Sequence, residues 1–219
     1  MKPSIEYDSH QPSPLSGGRV LAKRAFDLAI SVPALFVLSP VLLLSILGTA
    51  LTIGRPCLFF QLRPGLNGRL FPLVKIRTMS DLKAADGTLL PDELRLGRFG
   101  SLLRRSSIDE VPQLLNVIAG QMSLVGPRPL LPEYLPRYSQ RQARRHLVRP
   151  GITGWAQVNG RNAVAWNDRL EMDSWYVENW SFFLDLRIVF LTIVKVFRRD
   201  GIVPDNLSSQ PKFLGNEPE

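Results

Sequence analysis

One uninterrupted apolar run, Leu28 to Ile53, carries no charged residue in 26 positions and constrains the chain more than any other feature. As a helix it would extend about 39 Å, enough to cross a bilayer. A plain transmembrane anchor is the simplest reading, and two features oppose it. Pro40 lies near the middle and removes a helix hydrogen bond. Ser39 can return its hydroxyl to the freed carbonyl, which matters where water is absent. Each arm around Pro40 would reach only about 18 Å, too short to cross and suited to a dip and return. Arg19, Lys23 and Arg24 precede the run; Arg55, Arg63, Arg69, Lys75 and Arg77 follow it. Positive flanks at both ends favour both ends in the cytoplasm. A re-entrant hairpin over about residues 24–53 satisfies this and a single span does not, although Pro33 leaves the position of the break open.

The remaining chain alternates short elements. Residues 1–18, rich in Pro, Ser and Gly, read as a flexible tail, 19–200 as a single domain and 201–219 as a variable tail. Leu58–Gln61 and Leu70–Lys75 read as strands joined by the turn-forming Pro64-Gly65-Leu66-Asn67-Gly68. Leu94–Leu103 predicts a short basic helix, and Val111, Leu114, Leu115 and Ile118 a helix stopped by Gly120. Pro132–Val148 predicts one or two amphipathic helices with a basic face, and Trp166–Arg199 is largely helical. The fold class is α/β in the α+β sense, mostly helical.

Chemistry concentrates in three segments. Arg104-Arg105-Ser106-Ser107-Ile108-Asp109-Glu110-Val111-Pro112 places two carboxylates beside a predicted helix start. Ser107 and Glu110 have capping-box spacing, and Asp109 as the cap would put Pro112 in the first turn, so a purely structural role explains them locally. The arginines add a second reading. They can neutralise phosphates, one acid can attack phosphorus, and its neighbour can hold Mg²⁺ together with phosphate oxygens. Ser123-Leu124-Val125-Gly126-Pro127-Arg128-Pro129 presents one arginine on a stiff loop, suited to an oxyanion. Arg149-Pro150-Gly151-Ile152-Thr153-Gly154-Trp155 repeats that theme, its Trp free to stack on a base or to pack. Lys75 and Arg77 alternate onto one strand face, suited to phosphate or lipid headgroups. Asn159-Gly160-Arg161-Asn162 reads as a turn, and Asp168, Glu171 and Asp173 as a charged helix face rather than a second metal site.

Together these motifs resemble the bacterial sugar transferases, the monotopic phosphoglycosyl transferases, over roughly Val20 to Asp200. The resemblance rests on Phe26-Asp27, Ser39-Pro40, Arg63-Pro64-Gly65, Lys75-Ile76-Arg77-Thr78-Met79, Asp92-Glu93-Leu94-Arg95, Ser107-Ile108-Asp109-Glu110 and the two Arg-, Pro- and Gly-rich segments. It implies a small cytoplasmic domain with a re-entrant membrane hairpin broken at Ser39-Pro40 and amphipathic interfacial helices. Both termini would face the cytoplasm at the bacterial inner membrane. It implies that Asp109 is a covalent nucleophile and Glu110 an Mg²⁺ ligand, with Arg104 and Arg128 on phosphate and Lys75 and Arg77 as further phosphate contacts. The implied reaction moves a sugar phosphate from a UDP-sugar to undecaprenyl phosphate and releases UMP. Among donors the resemblance favours UDP-N,N′-diacetylbacillosamine, with UDP-GalNAc, UDP-GlcNAc and UDP-hexoses open, as is a homodimer.

Composition narrows the rivals. The net charge of +8, from 27 Lys plus Arg against 19 Asp plus Glu, calls for a polyanionic partner, anionic membrane lipids included. The apolar run argues against nucleic acid as that partner. With Cys57 alone there is no internal disulfide, and two histidines, His10 and His146, make no Cys/His zinc cluster. No P-loop or GxGxxG element is present. A membrane-anchored interaction protein, with Asp109-Glu110 as a cap only, is the remaining alternative.

Overall fold

The apolar run forms the spine of α1, Gly18–Thr52, in the computed structural model, which describes residues 17–160, 165–198 and 212–215. Most of the two expected tails, and Arg161 and Asn162 of the expected turn, lie outside the described residues. α1 begins before the expected boundary at residue 24 and passes through Pro33 and Pro40 as one helical element. At Pro40, where the N–H bond to the Phe36 carbonyl is missing, Ser39 Oγ donates to that carbonyl at 2.7 Å. The compensation expected of Ser39 is present, within a single helix rather than between two separate ones.

The polarity of α1 is inverted. Lys23, Asp27, Ser31, Ser45 and Thr49 recur at helical spacing and are buried, while Phe36, Val37, Leu43, Leu44 and Leu51 face outward. Phe36 is 80% exposed. Such a helix needs an apolar surrounding on its outer face. Both ends are fixed to the rest of the protein. Lys23 pairs with Asp185, Arg24 Nη2 donates to the Ile118 carbonyl at 2.7 Å, and Asp27 accepts from Ser123 Oγ at 3.0 Å. Near the other end Gly48 lies so close to Phe99 that a Cβ would come within 2.4 Å of its ring.

After α1, β1 (Leu58–Pro64) and β2 (Leu70–Ile76) form an antiparallel hairpin with Leu58 opposite Ile76 and Pro64 opposite Leu70. Its turn takes positive φ at Asn67 and Gly68, as the residue types predict. On one face Phe71 and Leu73 are buried against Val117 and Met122, and Lys75 continues that face toward the site. The expected single basic helix is two: α2, Asp92–Arg95, and α3, Arg98–Arg105. α3 can approach the exit of β2 because Gly100 has no Cβ; one would sit 1.9 Å from the Thr78 carbonyl oxygen. A 3₁₀ turn, Ile108–Glu110, then leads through Pro112 into α4, Gln113–Ile118, which Gly120 follows at φ 79°.

β3, Ser123–Val125, pairs in parallel with β4, Gly151–Thr153. The two Arg-, Pro- and Gly-rich segments therefore dock on each other rather than forming two separate phosphate loops. A Cβ at Gly126 would lie 2.4 Å from the Arg149 carbonyl oxygen, and one at Gly151 2.1 Å from the Gly126 nitrogen. Between these strands the expected amphipathic helices are replaced by 3₁₀ turns at Pro132–Arg137 and Arg144–Leu147 flanking α5, Gln140–Ala143. Pro132 opens the first of these turns, Pro136 inside it has no N–H to continue a helical pattern, and Arg145 is buried rather than solvated.

α6 (Trp155–Asn159), α7 (Trp166–Glu178) and α8 (Phe182–Arg198) complete the fold. Val125, Val148, Val158, Tyr176, Val177 and Ile188 form its main core. Trp155 stacks on Trp175 with centroids 5.0 Å apart, so it packs. α8 turns Phe183, Leu186, Phe190 and Ile193 outward as an apolar row.

Because β3 and β4 meet backbone to backbone, Gly151→Ala has no side chain to displace. We expect it to destabilise the protein by about 1–3 kcal/mol or more, read as a lower thermal midpoint, with Gly97→Ala, in open space, as the near-neutral control.

Candidate active site

A cleft of about 810 Å³ opens between the hairpin, α3, the 108–110 turn and the last turns of α8. Lys75, Arg77, Arg104, Asp109, Glu110 and Arg128 all line it. Six residues spread over more than fifty positions of the chain, Lys75 to Arg128, thus meet in one place.

Glu110 organises the cleft. Its Oε1 accepts a hydrogen bond from Lys75 Nζ at 2.7 Å and another from Arg128 Nη2, while Arg128 Nη1 lies 3.3 Å from Oε2. Burial alone would raise the Glu110 carboxyl; Arg128 and Lys75 outweigh it and hold the group well below the usual carboxylate range. Glu110 in turn raises the Arg128 guanidinium. Arg128 is braced from behind, because Arg145 Nη2 donates to its backbone carbonyl at 2.6 Å.

Asp109 is the opposite case. It is 8% exposed, and burial, with the adjacent Glu110 charge, pushes its carboxyl up to about 6 against the pull of Lys75, Arg104 and Arg128. Two neighbouring acids are thereby separated, one locked as an anion and one basic enough to react. The capping explanation does not hold. Ser107 sits in the left-handed region at φ 57°, makes no side-chain cap bond, and both acids lie in the 3₁₀ turn ahead of α4.

The other expected residues divide. Arg104 stands at the exposed rim, its Nε donating to Thr78 Oγ1 at 2.9 Å. Arg77 lines the cleft with its guanidinium committed to Asp81, the Met79 carbonyl and the Arg55 carbonyl. Arg149 donates to the Gly120 carbonyl at 2.8 Å and thus ties off the end of α4. Asp173 belongs to no solvated face: it is buried and accepts from Arg145 at 2.8 Å. Sequence reasoning missed Gln157, Arg169 and Lys195, which reach the cleft from α6, α7 and α8 respectively. Arg169 was indistinguishable from the charged helix pattern around it, and only packing turns it inward.

The chain matches the bacterial sugar transferase family model over residues 18–199. It belongs to that family. This transferase is 53% identical over 197 residues to an uncharacterized sugar transferase, EpsL, of Bacillus subtilis (strain 168), covering 90% of this chain and 98% of that protein. It is 45% identical over 207 residues to an undecaprenyl-phosphate glucose phosphotransferase of Komagataeibacter xylinus, covering 87% and 39% of the two chains. It is 38% identical over 196 residues to an undecaprenyl-phosphate galactose phosphotransferase of Salmonella typhimurium, covering 82% and 41%. The transferase spans about two-fifths of the length of those last two relatives.

The two acids should have opposite effects on stability in EDTA. The Asp109 carboxyl, near 3.8 unfolded, is raised to about 6, so the stability it contributes is present below about pH 4 and lost as pH rises through 6. Asp109→Asn should therefore raise the thermal midpoint at pH 8, by about 1–3 kcal/mol of stability, with the gain shrinking toward pH 4. Glu110→Gln should lower it by about 3 kcal/mol, because Lys75 and Arg128 lose their shared partner while partly withdrawn from water.

Proposed function

We propose that this transferase moves a sugar 1-phosphate from a UDP-sugar to undecaprenyl phosphate through an aspartyl intermediate. The observation that carries the reading is the contrast within one cleft: Glu110 clamped by two cations, and Asp109 beside it raised toward neutrality. The names of the Komagataeibacter and Salmonella relatives supply the lipid acceptor and the reaction class.

An oxygen of ionised Asp109 attacks the sugar-bearing phosphorus. The bond from that phosphorus to the bridging oxygen breaks, and UMP leaves with the electron pair. An oxygen of undecaprenyl phosphate then attacks the same phosphorus and displaces the Asp109 carboxylate, giving the sugar–diphosphate lipid. Arg128 and Lys75 offset negative charge on the phosphates, and Arg104 at the rim guides them inward. The raised Asp109 carboxyl remains largely ionised at neutral pH yet is a stronger nucleophile than an ordinary aspartate.

Mg²⁺ fits the donor set. Among the described residues Glu110 Oε2 has only the 3.3 Å contact with Arg128, and one such carboxylate suits an ion that completes its shell with water and phosphate oxygens. Glu110 would hold it, and when bound it would draw charge from the diphosphate. The Komagataeibacter and Salmonella relatives are named for glucose and galactose. These favour a UDP-hexose donor over the diacetylbacillosamine donor favoured by motif resemblance.

The membrane reading is a re-entrant α1 with both ends at the cytoplasmic face. Its support is that one domain grips both ends while the apolar middle faces outward. A span would need those ends on opposite sides. The outward row of α8 suits the interface, and basic surface residues add attraction to anionic headgroups at about 1 kcal/mol each when close to it.

With Mg²⁺ and undecaprenyl phosphate, UMP release from a panel of UDP-sugars should identify the donor. Asp109→Asn should reduce it roughly a thousandfold or more, and mass measurement of the wild-type protein under single turnover should show the added phosphosugar. Transfer at normal rates by Asp109→Asn would exclude the covalent route. In a Cys57→Ser background, single cysteines at positions 8 and 216 should react with an impermeant thiol reagent from one side of sealed vesicles; labelling from opposite sides would refute the dip.

A further inference from the structure

Phe213 lies beyond the family match, which ends at residue 199, yet it is only 2% exposed while its neighbour Leu214 is 83% exposed. This residue of the expected variable tail is an anchor. Its ring stacks on Tyr138 at 5.8 Å and meets Tyr134 and Trp166, each at 5.7 Å, in a cage closed by Leu130 and Leu170. Arg137 donates a hydrogen bond to its carbonyl.

The cage adjoins the cleft. Trp166 opens α7, and one turn later Arg169 lays its guanidinium over the Trp166 ring, 5.3 Å from the centroid. Arg169 lines the cleft, and Leu170 beside it is a wall of the cage. A guanidinium stacked on an aromatic face keeps its charge and presents its N–H groups in its own plane, the geometry that meets phosphate oxygens. The cleft is also rich in cations, with Lys75, Arg104, Arg105, Arg128 and Lys195 set around Asp109 and Glu110.

We infer that the C-terminal segment is a positioning strap: Phe213 holds Trp166 and Arg169 in place, and Arg169 contacts a phosphate oxyanion of a substrate in the cleft. The inference rests on the transfer reaction proposed above for the identity of that substrate. Phe213 touches no substrate itself; it acts through the Trp166 ring. The oxyanion belongs either to the donor diphosphate or to the lipid phosphate.

Two readouts test it in the full chain. The first is calorimetric binding of inorganic pyrophosphate, which needs no turnover. Arg169→Gln should weaken it about tenfold or more, the loss of a charge-assisted contact. Phe213→Ala should weaken it by a smaller factor, the double variant should bind no worse than Arg169→Gln alone, and Phe213→Leu should restore most of the affinity. The second is steady-state UMP release, where KM should rise more than kcat falls. A rise for the UDP-sugar assigns Arg169 to the diphosphate, and a rise for undecaprenyl phosphate assigns it to the lipid. Should Phe213→Ala be unfolded at the assay temperature, Phe213→Val takes its place. Unchanged pyrophosphate affinity in the folded Phe213 variant, or losses that multiply in the double variant, would overturn the strap. If the wild type releases no UMP from any UDP-sugar, the reaction fails instead, and the pyrophosphate coupling still decides the strap.

Discussion

The carboxylate of Glu110 is the point on which the cleft depends. Lys75 reaches it from a strand face, Arg128 from a stiff Gly-Pro loop, and the carboxylate itself stands in a three-residue turn. Each support is rigid for its own reason. β2 is fixed by its pairing with β1, and the Arg128 loop by glycine contacts between β3 and β4 and by the buried Arg145. In a site largely withdrawn from water such a pair of ion contacts holds its geometry, because moving either cation away leaves a charge without compensation. The same arrangement points Lys75 and Arg128 at Glu110 rather than at Asp109. Asp109, one residue earlier, keeps a carboxyl that burial and Glu110 make more basic.

α1 carries this constraint outward. Its inner stripe is polar, and the helix is attached to the domain by the Lys23 and Asp27 contacts at one end and by apolar contacts, Phe26 on Phe182 and Gly48 on Phe99, as well. Asp185, fully buried, gathers Lys23 of α1, Tyr176 Oη at 2.7 Å and Trp180 Nε1 at 3.1 Å. Arg24 closes the carboxyl end of α4, the short helix that follows Asp109 and Glu110 in the chain. The apolar helix and the candidate nucleophile are therefore parts of one packed unit, and the cleft has a defined position relative to the outward apolar face of α1.

Local chemistry was readable wherever a residue's role depends on its immediate neighbours. The Asn67-Gly68 turn, the alternation that directs Lys75 inward and the Ser39 bond at Pro40 all follow from the backbone within a few residues. Roles that depend on distant partners were not readable. Arg77 shares its strand parity with Lys75, but Asp81 and two carbonyls take its donors. Asp173 looked like part of a solvated face until Arg145, 28 residues earlier, paired with it. Trp155 looked equally suited to stack on a base, and Trp175 occupies its face.

From the sequence alone came the apolar segment with its break point, the adjacent acids, the arginines around them and the family resemblance, because composition, order and spacing are properties of the chain itself. Tertiary structure decided which cations hold Glu110, that Asp109 stands without such a clamp, that Arg169 turns toward the cleft and that Phe213 closes an aromatic cage. Those outcomes depend on burial and on partners far apart in sequence. Desolvation and ion pairing between such groups exist only once the chain has packed.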